Sequence, residues 1–146
     1  MSSSASLMIE GGCHCGNIRF FLAWPASATT LPARRCGCTF CTKHGGRWTS
    51  HRDAELRATI RDERDVSAYR FGTETADFHL CRLCGVPCFV TSDIDGNRYA
   101  VVNVNTFDAI DPSLSLDESS TDFDGEQADS RLERRKRNWI PRVSFD

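Results

Sequence analysis

Residues 11–23 read GGCHCGNIRFFLA, and the fold turns on what this stretch is tied to. Cys13 and Cys15 flank one histidine, with Gly11-Gly12 before them and Gly16 after. The apolar, aromatic run Ile18–Ala23 follows, ends at Pro25 and reads as a strand. A second pair, Cys81-Arg82-Leu83-Cys84 followed by Gly85, sits far along the chain at the end of another short strand pattern, Phe78–Cys81. Glycine in such turns lets backbone N–H groups face inward toward metal-bound sulfurs. The two pairs together supply the four thiolates that a closed tetrahedral zinc site takes. Such a site would tie the first strand to a central hairpin and close a long loop in a small β domain, which is a structural role.

The remaining cysteines are Cys36, Cys38, Cys41 and Cys88. Disulfides are a poor account of the eight, because cysteines one residue apart bridge only with strain and the compartment is expected to be reducing. CGCTFC (36–41) gathers three thiolates and stops. Two completions of that set are open, Cys88 and His44; the competing readings are a buried core cysteine and a surface histidine in a Lys43-His44-Gly45-Gly46 turn. If neither joins, three thiolates hold a second zinc with one position left over. A cation with three thiolates carries net charge −1 and is a poor activator of water; a sulfur-rich site prefers another sulfur, so its expected ligand is a small thiol. His14 lies between two ligands and points away from them, and His51 and His79 read as ordinary strand or loop residues. Arg34, Arg35, Lys43 and Arg47 crowd the segment and either offset the thiolate charge, hold the carboxylates of an anionic thiol, or form a solvated basic loop.

Most of the chain reads as short strands. Leu56–Ile60 and Val66–Phe71 alternate, and Cys88–Ser92 and Arg98–Phe107 flank Asp93-Ile94-Asp95-Gly96-Asn97, a turn with hairpin chemistry. Residues 26–33 read as a loop, and nothing before residue 126 shows a long helical period. Three parts are expected: a flexible N-terminus (1–10), a zinc-binding β domain (11–110), and an irregular acidic-then-basic tail (111–146). Residues 111–129 hold seven acidic and no basic residues; residues 131–142 hold six basic residues and one glutamate. RRKR (134–137) is a nucleic-acid or targeting patch, or else a solvated helix face or a partner for the acidic stretch just before it.

The 146 residues fit one domain that buries roughly two-thirds of its unfolded surface. With 18 basic against 20 acidic residues the net charge is −2, which gives no global attraction to nucleic acid or anionic membrane. No run is long enough for a membrane span, and no basic and apolar leader opens the chain, so a soluble, cytoplasmic protein is expected.

The ordered set GGCHCGNIRF (11–20), RCGCTFCTKHGG (35–46), CRLCGVPCF (81–89) and VNVNTFD (102–108) resembles the glutathione-dependent formaldehyde-activating enzyme family, which includes the centromere protein V group. The resemblance runs from about Gly11 to about Asp108. It implies a zinc-stabilised all-β fold similar to the Rab-binding zinc chaperones, with Cys13, Cys15, Cys81 and Cys84 on a structural zinc. It implies a second, catalytic zinc on Cys36, Cys38 and Cys41 at which glutathione binds, and a carbon–sulfur lyase reaction joining formaldehyde to glutathione. Cys88 and the tail depart from the family pattern. A rival expectation is a non-catalytic module, with both zincs structural and the basic segment meeting a protein or nucleic acid.

Overall fold

The structure, a computed structural model, describes residues 6–123 and 125–146. Strand β1 (Ser6–Gly12) and strand β2 (Ile18–Pro25) form an antiparallel hairpin around the Cys13–Cys15 turn. In β2 the alternation is one of burial: Ile18, Phe20, Leu22 and Trp24 are buried, while Phe21 faces solvent. Then come β3 (Thr30–Cys36), a six-residue helix α1 (Thr39–His44), β4 (Trp48–Thr49), β5 (Glu55–Ile60) and β6 (Val66–Tyr69). The rest is β7 (Asp77–Cys81), β8 (Pro87–Ile94), β9 (Asn97–Asn103), β10 (Ser115–Thr121), α2 (Ala128–Asn138) and β11 (Arg142–Phe145). They make a four-stranded sheet in the order β1-β2-β5-β11 and a seven-stranded sheet in the order β10-β3-β4-β9-β8-β7-β6. The protein is mainly β, as its strand patterns indicate.

Between the sheets lies one core, where Phe20, Leu22, Trp24 and Leu56 of the first meet Leu31, Phe89 and Val102 of the second. Burying each such side chain contributes about 1.5–3 kcal/mol. Strand β8 is central and buried along nearly its whole length, and joins β9 through Asp95-Gly96, both at positive φ as a two-residue hairpin turn requires.

Several expectations do not survive. Residues 6–10 are not a free N-terminus but the start of β1, paired in register with β2; residues 1–5 lie outside the described part. Residues 30–33 belong to β3 rather than to a loop. Pro32 obscured them, yet Leu31 and Ala33 on either side are buried. The tail is not irregular. Its acidic part forms β10, a parallel edge strand on β3, and its basic part is α2. The chain after α2 bonds back to the sheet through reciprocal hydrogen bonds between Ile140 and Ala100, and β11 pairs with β5. Among the described residues, no helix is long and apolar enough to cross a membrane.

Candidate metal centres and the adjoining cavity

Cys13, Cys15, Cys81 and Cys84 converge with all four sulfurs within 4.8 Å of one another. The Cys15 Sγ lies 3.7 Å from that of Cys13 and 3.5 Å from that of Cys81. One pair sits in the β1–β2 turn and the other in the β7–β8 connection, so the cluster joins the two sheets. Gly85 closes the second turn at φ +81, donating its N–H to the Cys81 carbonyl at 2.8 Å; a side chain there would force the backbone out of this left-handed conformation. Backbone donors surround the sulfurs: the Ile18 N–H lies 3.3 Å from the Cys13 Sγ. Burial pushes the Cys81 thiol up to about 12. Burial acts upward on Cys84 too, but the N–H groups of Cys15 and Val86 and the neighbouring thiols bring it down to about 6. Inward N–H groups suit thiolates rather than thiols, so the donor set fits a thiophilic cation such as zinc.

The second cluster is local. Cys36 ends β3, Cys38 caps α1 by accepting the Cys41 N–H at 3.3 Å, and Cys41 is buried within the helix. The three sulfurs also lie within 4.8 Å of one another, and among the described residues no fourth ligand joins them. The hydrogen bond from Cys41 holds the Cys36 thiol down at about 5, with Arg131 adding to the effect, and the same bond and burial push Cys41 up. This set, too, fits a cation that prefers sulfur.

Among the described residues, neither of the two completions left open, Cys88 or His44, joins the second cluster. Cys88 is fully buried in the core beside the four-cysteine set, where burial and the neighbouring sulfurs push its thiol up. His44 packs on Phe40 and Trp48, and its Nδ1 accepts the Gly46 N–H at 3.0 Å. Burial lowers its pKa, and its ring does not line the cavity described next. His14 is exposed, His51 packs edge-on against Trp24, and His79 bonds Thr91 at 2.7 Å while its ring packs at a tilt against Phe89.

The three-cysteine cluster forms part of the wall of a cavity of about 590 Å3. Its lining includes the aromatic residues Trp48, Phe71, Phe78 and Trp139. It also includes four cations, Arg34 from β3 with Arg131, Arg134 and Arg135 from α2. Of the cations expected around the cysteines, only Arg34 reaches this space. Arg35 and Arg47 both pair with Glu118 on β10, and Lys43 is exposed. Arg34 is held in place by a relay in which its Nη1 donates to Ser50 Oγ at 3.2 Å and that hydroxyl donates to the Asn138 carbonyl at 2.8 Å. Arg134 is engaged by both carboxylate oxygens of Glu126 and stacks on Phe123. Arg135 is only 6% exposed, and its Nη1 bonds Thr75 and Ser92. Burial, then repulsion from Arg131 and Arg134, lowers its pKa to about 10. RRKR is therefore no free basic patch, because only Arg137 of the four is exposed. The α2 arginines and the aromatic wall went unread in the sequence; the one visible signal was a basic run ending in Asn138-Trp139-Ile140.

A two-sheet β protein with one closed four-thiolate set, and a three-thiolate set opening on a cavity, is the class that the fold and the donor sets define. Residues 8–121 match the glutathione-dependent formaldehyde-activating enzyme family, and the chain belongs to that family. The match extends beyond Asp108 to the end of β10 and stops before α2. The chain is also similar to the crystal structure of a Rhodobacter sphaeroides protein, with 28% identity and a TM-score of 0.55 over 74% of this chain and 99% of that one.

Proposed function

We propose that the protein is a zinc-dependent carbon–sulfur lyase that makes and breaks the bond between the sulfur of a small thiol, glutathione or a close relative, and the carbonyl carbon of an aldehyde such as formaldehyde. The observation that carries this reading is the position of the three-cysteine cluster in a cavity wall, while the four-cysteine cluster is closed by its own ligands. Cys13, Cys15, Cys81 and Cys84 would hold a structural zinc, and Cys36, Cys38 and Cys41 a second one. When bound there, zinc keeps a ligand sulfur in its thiolate form at neutral pH.

The chain's own contribution is placement. In the synthetic direction the sulfur lone pair forms the C–S bond, the carbonyl π pair moves to oxygen, and the proton lost by the thiol ends on that oxygen. The product is a hydroxymethyl thioether, and cleavage is the reverse. Trp48, Phe78 and Trp139 offer apolar surface to the reacting end and limit water there, while the arginine wall holds an anionic ligand against drift. His44 is left out of the proposed proton path, since its ring does not line the cavity and its Nδ1 accepts the Gly46 N–H. Thiols add to formaldehyde unaided, so the expected acceleration is one of proximity.

Exchange NMR between glutathione and its hydroxymethyl adduct tests the reading. The metal-loaded protein should speed exchange over buffer, and Cys38→Ser should return it to the background rate. Equal rates for the two proteins would end the enzyme reading for this substrate.

A further inference from the structure

The arginine wall is more basic than the cysteine cluster requires. A divalent cation with three thiolates carries one net negative charge, which offsets one guanidinium. Arg34, Arg131 and Arg135 all line the cavity, and Arg134 already occupies both oxygens of Glu126. Glu126 reaches Arg131 only at 3.8 Å. Among the described residues, no carboxylate pairs with Arg34 or Arg135. Arg34 and Arg135 are thus held in a partly enclosed space with no ion pair among the described residues, an arrangement that an anionic ligand would favour.

The geometry also separates the arginines that can reach a ligand from the one that cannot. Arg135 spends its Nη1 on Thr75 and Ser92, and its Nε is buried. Arg131 spends its Nη2 on the carbonyls of Phe123 and Glu126, leaving Nη1 without a partner among the described residues. Among the described residues Arg34 spends only Nη1, on Ser50, which fixes the guanidinium and leaves Nε and Nη2 without a partner there. A guanidinium with two adjacent free donors is the group that binds a carboxylate in bidentate fashion.

We infer that Arg34 and Arg131 form a carboxylate-recognition subsite, backed by the charge of Arg135, that makes this cavity selective for anionic peptide thiols over neutral ones. Helix α2, which lies beyond the family match, is then a specificity element rather than a tail. The inference rests on the preceding reading in one respect: the ligand's sulfur end lies at Cys36, Cys38 and Cys41.

Isothermal titration of the metal-loaded protein with S-methylglutathione and with its diethyl ester tests the subsite without needing a free thiol. The diacid should bind roughly 10- to 100-fold more tightly than the ester, the range expected for hydrogen bonds to a charged group. Arg34→Gln should remove most of that preference by weakening the diacid and leaving the ester unchanged, and Arg34→Lys should restore part of it. A variant that had merely lost its fold would weaken both ligands alike. Equal affinity of the wild type for acid and ester, no binding of either, or a preference untouched in Arg34→Gln would overturn the subsite. So would inorganic phosphate binding as tightly as the diacid. Glutathione binding no better than its S-methyl form would count against the sulfur site and leave the arginine subsite standing.

Discussion

Replacing Arg135 with methionine sets two effects of similar size against each other. The Nη1 of Arg135 donates to the Thr75 carbonyl at 3.2 Å, to Thr75 Oγ1 at 2.8 Å and to Ser92 Oγ at 3.0 Å. Losing hydrogen bonds from a charged donor removes about 1.5–3 kcal/mol. Against this stands the cost of burying the charge. The pKa falls from 12.5 to about 10 through burial and then through Arg131 and Arg134, a penalty of about 3 kcal/mol. The folded value lies below the unfolded one, so the penalty is fully present at every pH below about 10 and fades only toward 12.5.

The substitution orphans little. The Thr75 carbonyl keeps the Ser92 hydroxyl at 2.7 Å, and methionine supplies an apolar chain that fills most of the stem's volume, losing only the guanidinium's place over the Trp139 ring. Arg135→Met should therefore leave the urea midpoint nearly where it was, within about 1.5 kcal/mol at an unchanged m-value, while weakening S-methylglutathione several-fold. Arg135→Ala should be worse by about 2–4 kcal/mol, because it adds a cavity. A loss above about 3 kcal/mol in the methionine variant would show that the guanidinium is compensated by its neighbours, and the idea of a charge held at the expense of stability would fail.

Three further outcomes follow from the same contacts. Cys81→Ser should cut bound metal from two equivalents to one and abolish cooperative unfolding, since structural zinc sites contribute about 10–16 kcal/mol and whole domains are stable by about 5–15 kcal/mol; retained cooperativity would show the four-cysteine set to be dispensable. Cys88→Ala should leave metal content unchanged by atomic emission and lower stability by about 1 kcal/mol, and a fall in metal would make Cys88 a ligand. Hydrogen bonds from Arg134 hold the Glu126 carboxyl below its ordinary value of 4.5, so the contribution is present above that value and lost as pH falls through the lower folded one. Glu126→Gln should then lower stability slightly at neutral pH, by less than about 1 kcal/mol for a partly solvated pair, with the gap closing in acid as pH falls through the lowered folded value; a gap that persists in acid would refute the ion-pair account.

What the sequence revealed and what it hid have physical causes. The cysteine sets were legible because ligand spacing is local and chemically restrictive: Cys36, Cys38 and Cys41 meet through one capped turn of helix. Strand β2 was legible because its burial alternates. Strand β10 was not, because SLDESST is exposed on nearly every residue and is held by backbone bonds to β3, which leave no period in side-chain hydrophobicity. Helix α2 was hidden for a related reason. Its inward face carries Arg131, Arg134 and Arg135, aimed at the cavity and at Glu126, where a helical reading looks for leucines. The segment therefore reads as a solvated charge run until its partners, 60 positions away for Thr75, are in place.

The two cysteine sets also differ in what each can do for the fold. The four-cysteine set joins residues 66 positions apart and bridges two sheets, so a cation there restrains a long loop and a large share of the chain's freedom. The three-cysteine set spans only residues 36–41, in a turn already capped by Cys38 and closed by the Gly45 N–H on the Cys41 carbonyl at 2.8 Å. A cation there closes almost no loop that the backbone has not closed already, so little folding free energy depends on it. Loop-closure entropy thus leaves the second set free to gain or lose a fourth ligand without endangering the sheets, as the proposed reaction would need. A division of eight cysteines into a closed four, an open three and a core residue at position 88 is what that separation of stability from chemistry requires.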